Sequence, residues 1–526
     1  MTTRNQINEL SMMARAMARS ANWRAVEDCA KRILKLDKGS AEGQFLAGLA
    51  AKGSLRYERA EKSFRRALKQ DAGRYDAAIE LADLFVKMQK NSEALQLFDE
   101  YIPLLSNSPL YLEMTAQAFA RLDLHERAWP LFVAACKLQP DVERFQAGRA
   151  ASAVFIGKVD EAREIYEKLL EKRPDHQRFH YQLSQVAKAR DSAHIEQMRS
   201  VLASTRLPPP RNIFLYYALG KELEDLEQWD EAFDYFKKGG DAASSVSGYD
   251  VRTDLDLIDT VRTHCTAEWL RSSQAKSDAS SFEKTPFFIV GLPRTGTTLT
   301  ERIIGSHSTV HSIRETFFMQ MALRHESGIA TNDSMNAEII RAASARPAES
   351  IAARYFEAIQ YKLGDEPVFI EKLPENYLYL GFIAKGMPDA RIVHLRRHPM
   401  DACFAMFKQS YFRYAYTLED VGRYYVAYDA LMTHWRNVLG ERLVEVSYEA
   451  LVNNQERETR QLLERVGLDF EEACLNFERN LAPSSTASAV QVREKMHTRS
   501  INRWKHFEKQ LQPLYQHLKA HGIDVD

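Results

Sequence analysis

Two regularities predict the fold class of this 526-residue chain: an all-α superhelix in the first half, then an α/β domain with a mostly parallel sheet. The first regularity is a phase. Alanine followed four residues later by an aromatic recurs as Ala60/Phe64, Ala94/Phe98, Ala128/Phe132 and Ala162/Tyr166, the alanines 34 residues apart each time. The second is a change of texture after Lys284. Short apolar runs (FFIVG, VFIEK, ARIVHL, RLVEVS) alternate there with long helical segments, as strands joined by crossover helices do.

The helical half comes first. A spacing of four places each alanine and aromatic on one helical face, and the small residue lets a neighbouring helix approach closely. A degenerate copy, Ala25/Cys29, precedes the four, and Ala232/Phe236 follows 70 residues after Ala162, with the break LPPPR (Leu207 to Arg211) between. Pro140 and Pro174 each lie 12 residues after their alanine, where a helix should stop. With its A-x-x-x-F spacing and terminal prolines the region resembles the tetratricopeptide repeat family. That resemblance implies a superhelix with a concave face, which commonly binds a peptide or another protein; a purely architectural role is the alternative. The expected array spans residues 1–249. Residues 250–284 follow as a capping helix and a Ser-, Ala- and Lys-rich linker, Ser272 to Lys284, and the α/β domain covers 285–526.

Composition narrows the class. Hydrophobic residues at 45%, charged residues at 27% and a formal net charge of -1 describe ordinary globular material, with no demand for a nucleic-acid partner. The five cysteines, Cys29, Cys136, Cys265, Cys403 and Cys474, are far apart and never in C-x-x-C spacing, so buried free thiols are expected rather than disulfides or zinc. No stretch reaches the roughly 18 apolar residues of a membrane span. The expected location is cytoplasmic.

The stretch PFFIVGLPRTGTTLTERII, Pro286 to Ile304, reads as strand, glycine turn and helix. Its backbone N–H groups and the helix N-terminus can converge on one anion, with Gly291 and Gly296 allowing close approach. In the frame G-x-x-x-x-G-K-[ST], however, Thr297 stands at the lysine position and Thr298 at the hydroxyl position. The lysine of a nucleoside triphosphatase reaches the β/γ-phosphates, so its absence argues against a kinase. Arg294 within the loop supplies a charge-assisted fork instead.

These residues resemble the 5′-phosphosulfate loop of the sulfotransferase family, the protein-tyrosine sulfotransferase branch above all. The family uses 3′-phosphoadenosine 5′-phosphosulfate (PAPS), released as adenosine 3′,5′-bisphosphate. By this resemblance Pro293, Arg294, Thr295, Gly296, Thr297 and Thr298 bind the donor. The second phosphate site of the family is matched by Arg397, Pro399 and Asp401 in ARIVHLRRHPMDACFAMF, but Ala405 stands where a serine is expected. VSYEALV nominates Tyr448 to pack against adenine. TASAVQVREKMHTRSINRW is similar to the family's closing segment and nominates Ser488, Gln491, Arg493, Ser500, Arg503 and Trp504 as a lid.

The same resemblance assigns catalysis. Glu315, 17 residues after Thr298 and ending the next strand, matches the catalytic base. Lys372 in EKLPENYLYLG matches the lysine that neutralises the leaving group, with Arg294 and Ser488 as further donors. Read without the resemblance, Glu315 is a solvating charge and Lys372 a surface lysine paired with Glu371. His307, His394 and His398 read as packing, and His311 as a reserve base. Tyr411, Phe412 and Tyr416 are candidates for the acceptor pocket. No metal is required. The expectation is a PAPS-dependent sulfotransferase acting on a hydroxyl, with a peptide or protein tyrosine as a candidate acceptor. The alternatives are a glycan or small-molecule sulfotransferase and a non-catalytic scaffold with a degenerate domain.

Overall fold

The computed structural model describes residues 3–272, 282–330, 335–486 and 488–526, so most of the expected linker lies outside the described residues. Two compact units are present, Met1–Ala153 and Val154–Asp526.

The first unit is built of helices that begin at Thr3–Arg19 and Trp23–Leu36 and continue through Pro109–Arg121 and His125–Leu138. Ala60, Ala94 and Ala128 are fully buried beside Phe64, Phe98 and Phe132, in one apolar core. The interlock depends on small residues. A Cβ on Gly48 would lie 2.5 Å from the Phe64 ring, so the ring lies against bare backbone of the preceding helix. Charges between repeats are paired within the unit: Lys52 bridges Glu80 and Asp83, and Arg74 bridges Glu42 and Asp76.

The turns carry the same period. Ala21, Leu55, Gln89 and Asp123 all have positive φ, between 54° and 61°, and stand 34 residues apart. Gly157, with φ of 85°, keeps the phase in the second unit. Side chains other than glycine are strained in that conformation by about 1–2 kcal/mol. Leu55 is 74% exposed and contributes little burial to offset the strain. Leu55→Gly is therefore expected to stabilise the protein by about 0.5–1 kcal/mol, the gain being reduced by glycine's freedom in the unfolded chain. A higher urea midpoint would bear this out, and a lower one would show that Leu55 packs.

In the second unit five strands, β1 (Thr285–Gly291), β2 (Val310–Arg314), β3 (Val368–Glu371), β4 (Arg391–Arg396) and β5 (Leu443–Ser447), form a wholly parallel sheet in the order β2-β3-β1-β4-β5. Alternation along β1 sends Phe288 and Val290 to one face and Phe287 and Ile289 to the other. The first face shares its core with the helices Ile213–Asp225, Trp229–Ser247 and Val251–His264, through Leu219, Phe236 and Val261. The opposite face packs on Ile304, Leu451 and Leu463. The repeat phase places a boundary at 249/250, whereas packing divides the chain at 153/154, because the later helices bury their apolar faces with the sheet.

Candidate active site

All five strands point their carboxyl ends at one edge, and each delivers a side chain there. In such sheets ligands bind where the chain order reverses, here between β1 and its neighbours β3 and β4. After β1 the loop turns through Gly291 (φ 149°), Arg294 (φ 68°) and Gly296 (φ 102°) into the helix Thr297–Ile304. Thr295 Oγ1 donates to the Leu292 carbonyl at 2.6 Å and fastens the turn. A Cβ on Gly296 would lie 2.6 Å from the Tyr448 ring, so only glycine lets Tyr448, just beyond β5, approach the loop.

Arg294 donates to Ser488 Oγ and, at 3.0 Å, to Gln491 Oε1. Arg397, beyond β4, donates to the carbonyls of Arg294 (2.7 Å) and Ser500 (2.5 Å), its guanidinium carbon 5.0 Å from the Tyr448 ring centre. Its Nε is buried without a partner. Burial, together with the nearby Arg397, draws Arg294 below its ordinary value. Among the described residues neither guanidinium pairs with a carboxylate, so two adjacent positive charges face the same space.

That space is a cavity of about 590 Å³. Its wall includes Arg294, Gly296, Thr297, Thr298, Arg397, Ala405, Tyr448, Ser488, Gln491, Ser500 and Arg503. Eight Lys and Arg line it against four Asp and Glu, a positive balance suited to a polyanion. Residues 488–504 form a strap along one side. Asp401 holds its far end, accepting from the backbone N–H of Asn502 (2.7 Å) and Trp504 (3.0 Å). Arg302 anchors the approach to the strap through the carbonyls of Asn480 and Ala482.

Four residues expected to touch a bound donor lie off the cavity wall. Pro293 and Thr295 shape the loop. Arg493 donates to the Phe155 carbonyl at 3.1 Å, tying the strap to the helical segment. Trp504 is buried and stacks on His398 at 5.7 Å. Both face packing partners instead of the cavity.

Glu315 and Lys372 come together at the ends of β2 and β3, and neither is part of the cavity wall. A register shift between Ser312 and Arg314, with Arg314 at φ 65°, re-aims the chain just before Glu315. Lys372, its side chain fully buried, donates to Glu315 and lies 3.8 Å from Glu301. Tyr411 lies within electrostatic range of both Arg294 and Glu315. Partial burial raises its phenol, Arg294 opposes the rise, and Tyr181, Glu315 and Glu375 add to it. Tyr411 is 47% exposed.

Glu371 does not pair with Lys372, because strand alternation sends it to the other face. It accepts from Thr316 (2.8 Å), Asn376 (3.1 Å) and Tyr355. Burial pushes its carboxyl up to about 7, against the lowering effect of those hydrogen bonds. Burial likewise brings Glu375 to about 7, with the Glu315 carboxylate adding to the rise. Between an unfolded value near 4.5 and a folded value near 7 the native state holds the proton more tightly, so stability falls as pH rises through that window. Glu371→Gln is expected to shed one proton's share of this slope and leave that of Glu375. Denaturation midpoints at pH 5 and pH 8 test it; an unchanged slope would mean Glu371 is ionised throughout.

Of the histidines considered, His398 follows Arg397 beyond β4 and stacks on Trp504, and the other three are held by bonds of their own. His394 bonds Glu445 and Tyr428, His307 meets the Asp469 carbonyl, and His311 is tied to the Lys362 carbonyl at the opening end of β2. Phe412 and Tyr416 belong to the segment beside Tyr411, with Tyr416 donating to the Ser410 carbonyl.

A sulfotransferase family model matches residues 286–472, the sheet with its loop, Glu315, Lys372, Arg397 and Tyr448. The second unit carries a sulfotransferase-family domain. Tetratricopeptide repeat models match residues 49–118 and 148–191. An uncharacterized protein of Aquifex aeolicus (strain VF5) is 28% identical over 377 residues, which is 69% of this chain and 48% of the relative, so the chain spans about half of that relative's length. Among solved structures, the sulfotransferase domain from the Synechococcus PCC 7002 olefin synthase is 17% identical with a TM-score of 0.29, covering 48% of this chain and 100% of that one. YrrB, a tetratricopeptide repeat protein with an unusual peptide-binding site, is 16% identical with a TM-score of 0.29, covering 39% of this chain and 96% of that one.

Two residues of the sulfotransferase domain's cavity escape a reading of the sequence. Lys408 stands three residues beyond Ala405, on the same side of the helix Pro399–Phe407 as its end is reached. Glu224, from the helix Ile213–Asp225, has no motif to mark it. Among the described residues no group of three or more His, Cys, Asp and Glu is placed to hold a metal ion, and no helix is long and apolar enough to cross a membrane.

Proposed function

We propose that this protein transfers the sulfuryl group of PAPS to a hydroxyl acceptor. The observation that carries the reading is the pair Arg294 and Arg397, adjacent at the ends of β1 and β4 and without carboxylate partners among the described residues. The unpartnered Arg397 Nε and the close seat of Tyr448 on Gly296 fit a nucleotide with two anionic ends and a flat base.

In this reading the backbone N–H groups of residues 295–298, with Arg294 and Ser488, hold the 5′-phosphosulfate. Glu315 accepts the proton of the acceptor hydroxyl as its oxygen bonds to sulfur. The bond from sulfur to the bridging oxygen breaks in line with the attack. Charge develops on that oxygen, where Lys372 and Arg294 stabilise it, and adenosine 3′,5′-bisphosphate leaves. Lys372 holds Glu315 at the edge before the donor arrives, so base and counter-charge occupy one corner.

A peptide or protein hydroxyl, tyrosine included, is the acceptor class that the repeats favour, since stacked helical pairs commonly bind extended chains. Calorimetric titration with adenosine 3′,5′-bisphosphate, against ATP with magnesium, tests the donor assignment. Selective binding of the bisphosphate is expected. Preference for ATP, or binding of neither, would overturn it.

A further inference from the structure

The hydroxyl missing at Ala405 leaves Arg397 as the sole expected ligand at the second anion of the donor. Beside it stands a cluster of which the family frame marks only Arg503 and the repeat phase marks nothing. Glu224, buried at 7% exposure, accepts from Lys408 Nζ at 2.7 and 2.9 Å and from Arg503 Nε at 3.0 Å. All three line the cavity with Arg397 and Ala405. Resting on the donor reading above, we propose that Lys408 and Arg503 replace the missing hydroxyl as ligands of the donor's 3′-phosphate, with Glu224 as the positioning residue that seats them.

Stoichiometry separates this role from that of a plain internal ion pair. One carboxylate is shared by two cations, so adding Arg397 leaves three positive charges against one negative. With Asp401, held by two backbone N–H groups, on the same wall the balance stays positive, which suits an anion. Hydrogen counting agrees. The Lys408 ammonium has three N–H groups and gives two to Glu224; Arg503 gives only its Nε–H, leaving the terminal nitrogens of the fork.

The seating is rigid. Arg503 lies with its guanidinium carbon 4.9 Å from the Trp229 ring centre, and Lys408 lies 4.8 Å from that of Phe404. Burial acts to raise the Glu224 carboxyl, and the two cations outweigh it and hold it ionised. Lys408 is drawn below its ordinary value by burial, which outweighs Glu224, with Arg503 and Arg397 adding like-charge repulsion. An anion entering between the three cations relieves that repulsion. Glu224 and Trp229 both belong to the helical segment that shares the sheet's core, so the helices supply part of the donor site as well as a scaffold.

The test compares two nucleotides on the full chain by calorimetry. Adenosine 3′,5′-bisphosphate carries the group in question and adenosine 5′-monophosphate lacks it. Lys408→Met should lower affinity for the bisphosphate about 10- to 100-fold, as for loss of a charge-assisted hydrogen bond, while affinity for the monophosphate stays within about twofold. Lys408→Arg should recover most of the loss. Retained monophosphate binding shows that the variant is folded. If wild type prefers the bisphosphate and Lys408→Met keeps that preference, the role of Lys408 is refuted while the donor reading stands. Equal loss for both nucleotides would also refute it, since the effect would not be specific to the 3′-phosphate. If wild type binds no bisphosphate, the donor reading itself fails.

Discussion

Glu315→Gln is expected to lower kcat by about 10²- to 10⁴-fold while leaving the affinity for adenosine 3′,5′-bisphosphate unchanged. The substitution keeps shape and one acceptor oxygen but removes the capacity to take a proton. Lys372 is the nearest donor to Glu315, and its fully buried side chain cannot turn to solvent. The variant therefore leaves that ammonium without its counter-charge, with Glu301 at 3.8 Å as the remaining carboxylate. Single-turnover measurement at saturating donor separates the chemical step from binding. Unchanged turnover would remove Glu315 as the base. A loss of donor affinity equal to the loss in rate would make it a structural anchor of Lys372.

Arg294→Ala should act on both sides of the reaction. The guanidinium gathers Ser488 and Gln491 of the strap, and it stands in the loop proposed to hold the 5′-phosphosulfate. Its loss should weaken adenosine 3′,5′-bisphosphate about 10- to 100-fold. It should lower kcat/KM by a further factor of about 10² or more, as removal of a transition-state donor does. Alanine keeps the strained φ of 68° without relieving it, so the fold should change little. Affinity equal to that of wild type would refute the loop's assignment. A drop in affinity with kcat intact would restrict Arg294 to ground-state binding.

Much of this was legible in the residues, for reasons that differ along the chain. The 34-residue phase is legible because each repeat must bury the same alanine and aromatic against its neighbour. The positively wound turns at Ala21, Leu55, Gln89 and Asp123 carry that period too, yet no shared residue type marks them, since a backbone angle leaves no signature once the side chain varies. The loop from Gly291 to Thr298 is legible because close approach to an anion demands glycine at fixed spacing. Glu315, Lys372, Arg397 and Tyr448 are nominated by the family resemblance, and the apolar runs before them add only that each stands at a strand end, where a parallel sheet gathers its side chains at one edge.

Tertiary structure decided the rest. The sequence by itself determined the two fold types and the strand, glycine turn and helix of the loop; each is set by local periodicity or by backbone demands within a few residues. Only the folded chain pairs Lys372 with Glu315 and sends Glu371 to the other face. Only the folded chain turns Arg493 and Trp504 away from the cavity, and makes Asp401 a clamp on the strap. It alone brings Glu224 to Lys408, 184 positions away, and to Arg503, 279 positions away. Such contacts arise from the shared core of helices and sheet, and a carboxylate chosen to meet two distant cations has no periodicity of its own to betray it.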